Sequence, residues 1–303
     1  VLLAIVGPTA SGKSALAVDV CRRLGPRAEV VGTDSMQVYR GMDIGTATPT
    51  AEERGGVRHH LLDVWDPAHA VTVAEFQQCA RAAIDGILAR DGIPVVVGGS
   101  GLYVAAVLDD LRFPGTDPAV RSRLEEDLAA HGAETLHARL SAVDPDAAAA
   151  ILPTNGRRIV RALEVVEITG GPFQASLPQP VAVYPSVWVG LEIPRAELDA
   201  RIAARVDRMW EQGFVDEVRR LGQQGLSSTP TAARALGYQQ VLAFLQGECS
   251  EEQARQDTID ATRRFARRQQ RWFRRDQRIT WIPYDSPTAV DDVVALLPTG
   301  TAT

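Results

Sequence analysis

Eight residues near the start of the chain, Gly7-Pro8-Thr9-Ala10-Ser11-Gly12-Lys13-Ser14, constrain its fold more than anything else in the sequence. They follow a short apolar run, residues 2–6, that reads as a buried strand. Residues 15–24 follow, with Leu16, Val20 and Leu24 four apart, as on one face of a helix. A glycine-bounded loop between strand and helix is the context a phosphate-binding loop needs. Its backbone N–H groups and the helix N-terminus offer partial positive charge to an oxyanion. There Lys13 would reach the terminal phosphate and the Ser14 hydroxyl would hold Mg²⁺. Composition sharpens the point: of 32 basic residues, 31 are arginine, and Lys13 is the only lysine. A compact ammonium on a thin stem suits a tight phosphate cradle as a planar guanidinium does not.

Residues 29–33 read as a second strand and Asp34 follows it, so Asp34 should face the same crevice as Lys13, beyond the strand ends. A carboxylate there can be a metal ligand, an acceptor for a substrate hydroxyl, a general base, or simply a turn-forming or capping Asp. A third run, residues 93–97, ends in Gly98-Gly99-Ser100-Gly101-Leu102-Tyr103. Nucleotide hydrolases of the phosphate-loop class often place a metal-holding Asp there. This chain has small residues instead, which read as room for a bulky group beside one hydroxyl. With a single lysine, no Asn-Lys-x-Asp segment exists to read guanine, which excludes a GTPase and weakens an ordinary ATPase.

These landmarks continue through Asp34-Ser35-Met36-Gln37-Val38-Tyr39-Arg40-Gly41-Met42-Asp43-Ile44-Gly45-Thr46-Ala47, His59-His60-Leu61-Leu62-Asp63, Arg157-Arg158-Ile159-Val160-Arg161-Ala162-Leu163-Glu164-Val165 and Trp272-Phe273-Arg274. Together and in this order they resemble the tRNA dimethylallyltransferases over nearly the whole chain. The resemblance implies transfer of a dimethylallyl group from dimethylallyl diphosphate to N6 of adenosine 37, beside the anticodon, in tRNAs reading codons that begin with U. It also implies Mg²⁺ as cofactor, Gly7 to Ser14 as the donor subsite, and Asp34, Ser100, Lys13 and Arg121 as catalytic residues. For tRNA contact it implies Asp34, Ser35, Met36, Gln37, Ser100, Arg121, Arg157, Arg158, Ile159, Val160, Arg161, Arg234, Gly237 and Tyr238. Three stretches depart from the family pattern. Ser100 replaces a Thr and keeps the hydroxyl. Thr154-Asn155-Gly156 replaces Pro-Asn-Asp before the arginine helix and leaves its cap in question. Arg271 replaces a Thr and adds charge to a basic helix.

Prenyl transfer suits these residues. The reaction breaks an allylic C–O bond and builds charge on a departing diphosphate, which a cationic loop stabilises. The adenine amine is a weak nucleophile, and a base must take its proton; Asp34 is placed for that. The target base must leave its stack to be reached, and Met36, Gln37, Tyr39 and Tyr103 are candidate readers of the extruded base or its neighbours. A net charge of −6 does not oppose RNA binding, because residues 263–278 hold eight arginines and one acid. On that helix Ala261, Phe265, Trp272 and Phe273 read as a buried stripe. The rival functions are a small-molecule phosphate-loop kinase, with Arg157 or Arg158 as a lid arginine, and a non-catalytic RNA-binding protein.

The expected fold is α/β: a mostly parallel sheet flanked by helices, carrying the phosphate loop, with an all-helical insertion domain. Strands are expected near 1–6, 28–33, 93–97, 187–192 and 278–282. Residues 1–112 plus 184–303 form the expected catalytic core, and 113–183 the insertion, read as binding the anticodon stem. A proline-rich return linker is expected over 172–185, and a frayed tail over 298–303. His59-His60 reads as structural, since adjacent side chains point apart and no Cys is near. Trp65, Trp188, Trp210 and Trp281 are expected in the core. Three cysteines suit a reducing cytoplasm, the lack of an apolar run long enough to span a bilayer speaks against a membrane partner, and a monomer is expected.

Overall fold

Branched apolar runs pair into one sheet in the computed structural model, which describes residues 1–175, 178–226, 229 and 231–298. The strands are β1 (Leu2–Val6), β2 (Ala28–Gly32), β3 (His59–His60), β4 (Ile93–Gly98), β5 (Ser186–Glu192) and β6 (Ile279–Pro283). All pairings are parallel, in the order β3-β2-β4-β1-β5-β6. β1 lies between two neighbours, with Leu3 opposite Val95 on one side and Val187 on the other. Helices cover both faces, which is why β1 is apolar without interruption. Leu3 and Ile5 pack with Leu16, Val20 and Leu24 of α1 (Lys13–Leu24), and Leu2, Ala4 and Val6 belong to the opposite layer. That layer includes Phe76 and Ile84 of α3 (Val73–Leu88) and Val104 and Val107 of α4 (Gly101–Leu108). A short α2 (Ala51–Arg54) precedes β3.

The chain forms two units, Val1–Asp109 with the chain from Ala182 onward, and Asp110–Val181. The second unit is helical: α5 (Pro118–Val143), interrupted at Gly132, α6 (Pro145–Ala150) and α7 (Gly156–Thr169). Leu124, Leu136 and Leu140 meet Ile159 and Leu163 in its core. The cap of α7 is intact despite the altered sequence before it, because the Asn155 side chain accepts the Arg158 N–H at 3.3 Å. Glu164 is fully buried there. It accepts from Arg121, from Arg161 at 2.7 Å and from the Asp117 backbone at 3.2 Å. Burial alone would raise its pKa, but the hydrogen bonds from Arg121 and Arg161 win and hold it below the usual carboxylate range. Glu164→Ala should therefore destabilise this unit by about 3–5 kcal/mol at pH 7, since two half-buried guanidiniums lose their partner. Hydrogen exchange over residues 118–169 measures it. Because the folded pKa is lowered, this stabilisation is complete above the unfolded Glu pKa and fades as pH falls through the folded value.

In the first unit the chain continues through α8 (Arg195–Glu211), α9 (Phe214–Gln223), α10 (Tyr238–Leu245) and α11 (Glu251–Phe273), and ends with α12 (Ala289–Ala295). Three expectations need correction. β3 was not anticipated, because two histidines carry no apolar pattern; His60 Nε2 meets Glu29 Oε2 at 2.6 Å, and this polar tie holds the edge strand on β2. Trp272 is 40% exposed, and the buried line of α11 instead runs through Ala254, Thr258, Ile259, Ala266, Gln269 and Phe273. Trp188 is buried as expected, whereas Trp65, Trp210 and Trp281 are half-buried at the core's margin. Ser176 and Leu177 of the expected linker, and residues 299–303 of the expected tail, lie outside the described residues. Among the described residues no helix is long and apolar enough to cross a membrane.

Candidate active site

Parallel pairing brings the C-terminal ends of β2, β4 and β1 side by side, so the loops that follow them converge. The loop after β1 carries left-handed backbone at Ala10 (φ 63°) and Gly12 (φ 99°) and leads directly into α1. It is held from outside. Thr9 N–H donates to the buried Gln269 of α11 at 2.9 Å, and the Thr9 hydroxyl accepts from Arg205 Nη1 at 3.0 Å. Arg201 Nε donates to Ala10 O at 3.0 Å, while its guanidinium lies 5.2 Å from the Tyr284 ring centre. The phosphate loop is thus braced by two helices before any ligand enters.

Lys13, Asp34 and Arg205 share a cavity of about 70 Å³ with Thr9, Gly98 and Gly99. A larger cleft of about 950 Å³ is also lined by Lys13, Ser14 and Arg205, with Arg201 and Arg208 beside them. Lys13 Nζ donates to Pro8 O at 3.2 Å. Burial, and secondarily the Arg205 charge, pull its pKa from 10.5 down to about 8, against the opposing pull of Asp34. Burial also lowers the pKa of Arg205. Two cations crowded together and short of solvent form a site that gains by receiving an anion. Asp34 Oδ1 accepts the Met36 N–H at 2.9 Å, a turn that fixes the carboxylate and leaves Oδ2 without a partner among the described residues.

Glycines at 98 and 99 serve a purpose other than the room expected of them. A Cβ on Gly98 would fall 1.8 Å from Thr33 Oγ1, and one on Gly99 would fall 2.5 Å from Gln269 Nε2. The missing side chains let strand ends and α11 approach the loop. Ser100 is half-buried at the N-cap of α4, where its side chain makes no cap bond; it lines neither cavity.

The remaining expected residues separate into groups. Gln37 Nε2 donates to Thr46 O (3.2 Å) and Ala47 O (3.1 Å), stapling a neighbouring loop. Ser35 and Met36 are half-buried beside Asp34. Tyr39 has no exposed surface and cannot read a base as folded. Tyr103 is half-buried and meets Phe76 edge-on at 4.9 Å; burial first, then Tyr39 and Asp34, raise its pKa to about 12. Tyr238 is likewise fully buried, its hydroxyl donating to Glu217 at 2.6 Å, and Gly237 is buried beside it, so of that segment only Arg234 is exposed for RNA. In the helical unit Ile159 and Val160 are core residues, so exposed contacts on α7 fall to Arg157 and Arg158. Arg158 also donates to Ala175 O, and Arg161 also holds Pro114 O at 2.6 Å and Gly115 O at 3.0 Å. Arg121 is committed through Nε and Nη2 to Glu164.

Sequence reasoning missed Arg201, Arg205 and Gln269. The arginines carried a signal: with Arg208 they recur at spacings of four and three, one face of α8. In a chain so rich in arginine that stripe does not stand out. Gln269 carries none, because nothing local distinguishes a glutamine aimed at a backbone 260 residues away.

The donors available to a metal are few. The exposed Ser14 hydroxyl and Asp34 Oδ2 make no hydrogen bonds among the described residues, and no cluster of three His, Cys, Asp or Glu residues exists there. The Ser14 hydroxyl fits a hard cation that keeps water and takes further oxygens from a phosphorylated ligand, as Mg²⁺ does.

A family model described as IPP transferase matches residues 37–276. A tRNA dimethylallyltransferase of Thermobifida fusca is 62% identical over 299 residues, covering 98% of this chain and 94% of that protein. One of Streptomyces avermitilis is 62% identical over 281 residues, covering 93% and 89%. The crystal structure of a full-length tRNA isopentenylpyrophosphate transferase from Bacillus halodurans superposes with a TM-score of 0.71 at 41% identity, covering 96% of this chain and 93% of that one.

Proposed function

We propose, for a chain that belongs to the IPP transferase family, a division of labour in which its phosphate loop grips a leaving group and Asp34 activates an RNA base. The enzyme transfers a dimethylallyl group from dimethylallyl diphosphate to tRNA; the acceptor is N6 of adenosine 37 in tRNAs reading codons that begin with U. One observation carries the reading: Lys13 and Asp34 line the same small cavity, with Arg205 beside them. Nucleotide hydrolases of the phosphate-loop class often place a carboxylate at the end of this strand, and here β4 ends in glycine. The kinase alternative is not favoured.

The donor's diphosphate lies against the loop N–H groups, Lys13 and Arg205. As the allylic C–O bond breaks, charge grows on the bridging oxygen, and cations lining the same cavity stabilise it. Ser14 would hold Mg²⁺, which when bound would supply further charge neutralisation to the diphosphate. The adenine enters from its extruded position, and Asp34 Oδ2 takes the N6 proton as the N–C bond forms. Arg157, Arg158 and Arg234 give the tRNA backbone cationic contacts. A monomer acting in the cytoplasm suffices for this chemistry.

The direct test weighs an anticodon stem-loop RNA after incubation with dimethylallyl diphosphate and Mg²⁺, without ATP. The RNA should gain one C5 unit, matched by free pyrophosphate. Transfer that needs ATP, or RNA of unchanged mass with the family's donor, contradicts the reading.

The lowered pKa of Lys13 sets a pH dependence. Below about pH 8 the ammonium is present in the free enzyme. Above it, donor binding must draw in a proton, because the ammonium is the form that pairs with the diphosphate. Donor Kd should therefore weaken by about tenfold per pH unit above this value, with proton uptake seen by calorimetry in two buffers. A Kd constant from pH 7 to 9.5 contradicts this.

A further inference from the structure

A buried carboxylate that takes no part in the chemistry above lies behind the wall of the donor cleft. Glu217, on α9, is 5% exposed. It accepts four hydrogen bonds: from the backbone N–H of Asp43 (3.0 Å), Ile44 (2.8 Å) and Gly45 (3.2 Å), and from the Tyr238 hydroxyl (2.6 Å). Three consecutive amides aimed at one carboxylate fix the course of a loop that has no regular secondary structure. The loop is pressed home as well as tied. A Cβ on Gly45 would lie 2.2 Å from the Phe214 ring and 2.5 Å from the Tyr238 ring, so only glycine permits this approach.

The segment leads directly to ligand-facing groups. Asp43, Ile44, Ala47 and Thr48 line the large cleft with Lys13 and Ser14. The Thr46 carbonyl accepts from Gln37 and, at 3.4 Å, from Arg205 Nη2, the guanidinium whose other arm holds Thr9 of the phosphate loop. We infer that Glu217 is a positioning residue for the donor site: it holds the Asp43–Ala47 segment so that the Thr46 carbonyl orients Arg205 toward the donor diphosphate. This rests on the cleft being the donor site. A carboxylate used only for stability would show itself in unfolding, not in selective loss of donor affinity.

The test compares Glu217→Gln, Gly45→Ala and Lys13→Ala in the full chain with wild type. Glu217→Gln turns an amide NH₂ toward donors that need an acceptor, and Gly45→Ala pushes the same loop away while leaving the carboxylate in place. Donor KM should rise about tenfold or more in both, while KM for the stem-loop RNA stays within about twofold and circular dichroism matches wild type. If either variant fails to fold, the other decides. Donor KM within twofold of wild type in a folded variant, with Lys13→Ala impaired, overturns the inference and leaves the donor site standing. Unchanged donor kinetics in Lys13→Ala as well overturn the donor-site reading itself.

Discussion

Asp34→Asn should lower the single-turnover rate of prenyl transfer by about 10²–10⁴-fold, the usual weight of a general base, with tRNA affinity nearly unchanged. The substitution is close to isosteric, and Asn can keep the turn by accepting the Met36 N–H as Asp34 does now. The geometry of the strand end should therefore survive, and what is lost is a charged oxygen able to take a proton. Asp34 also attracts the Lys13 ammonium. Removing its charge should lower the Lys13 pKa further, so the comparison belongs well below pH 8, where the Lys13 ammonium is favoured in the wild type. Equal single-turnover rates there would remove Asp34 from the base role. A loss confined to RNA binding would make it a contact residue only.

Lys13→Ala should cost about 10²–10³-fold in rate, as for one lost electrostatic donor to a developing anion. Lys13→Arg should fare little better. The pocket already holds the Arg205 guanidinium, braced on Thr9, with Arg201 close behind on Ala10. A third planar cation has neither the room nor the slender reach of an ammonium. This explains how one lysine persists in a chain with 31 arginines. Stability should move the other way. Burial and Arg205 penalise the Lys13 charge in the free protein, so the alanine variant should melt no lower than wild type. A rate loss explained by a lower melting temperature would contradict this account, as would an intact rate with weakened tRNA binding.

Local features of the sequence carried much of the site. The phosphate loop is legible because its glycines, lysine and serine must be neighbours in the chain, and the strand before it is a plain apolar run. Asp34 is legible because a residue following a parallel strand must emerge near the other strand ends. What stayed hidden depends on partners distant in the chain. Gln269 and Glu217 reach backbone amides that no local pattern announces. β3 forms through a His60–Glu29 contact and shows no alternation. Burial misled in the opposite sense for Tyr39 and Tyr238. Tyr39, beside the Asp34 segment, looks like a base reader, and Tyr238 enters as a tRNA contact implied by the resemblance, yet both rings lie in the core. Trp272 was misplaced because a two-residue aromatic pair on a helix cannot turn both members inward. Phe273 takes the buried position and Trp272 the surface.

A crystal structure of the protein with an unreactive dimethylallyl thiodiphosphate and an anticodon stem-loop RNA tests the central claim most directly. The diphosphate should lie on the phosphate loop within hydrogen-bond reach of Lys13 and Arg205, with adenosine 37 extruded and its N6 beside Asp34 Oδ2. A diphosphate bound away from Lys13, or an adenine whose N6 faces away from Asp34, would contradict it.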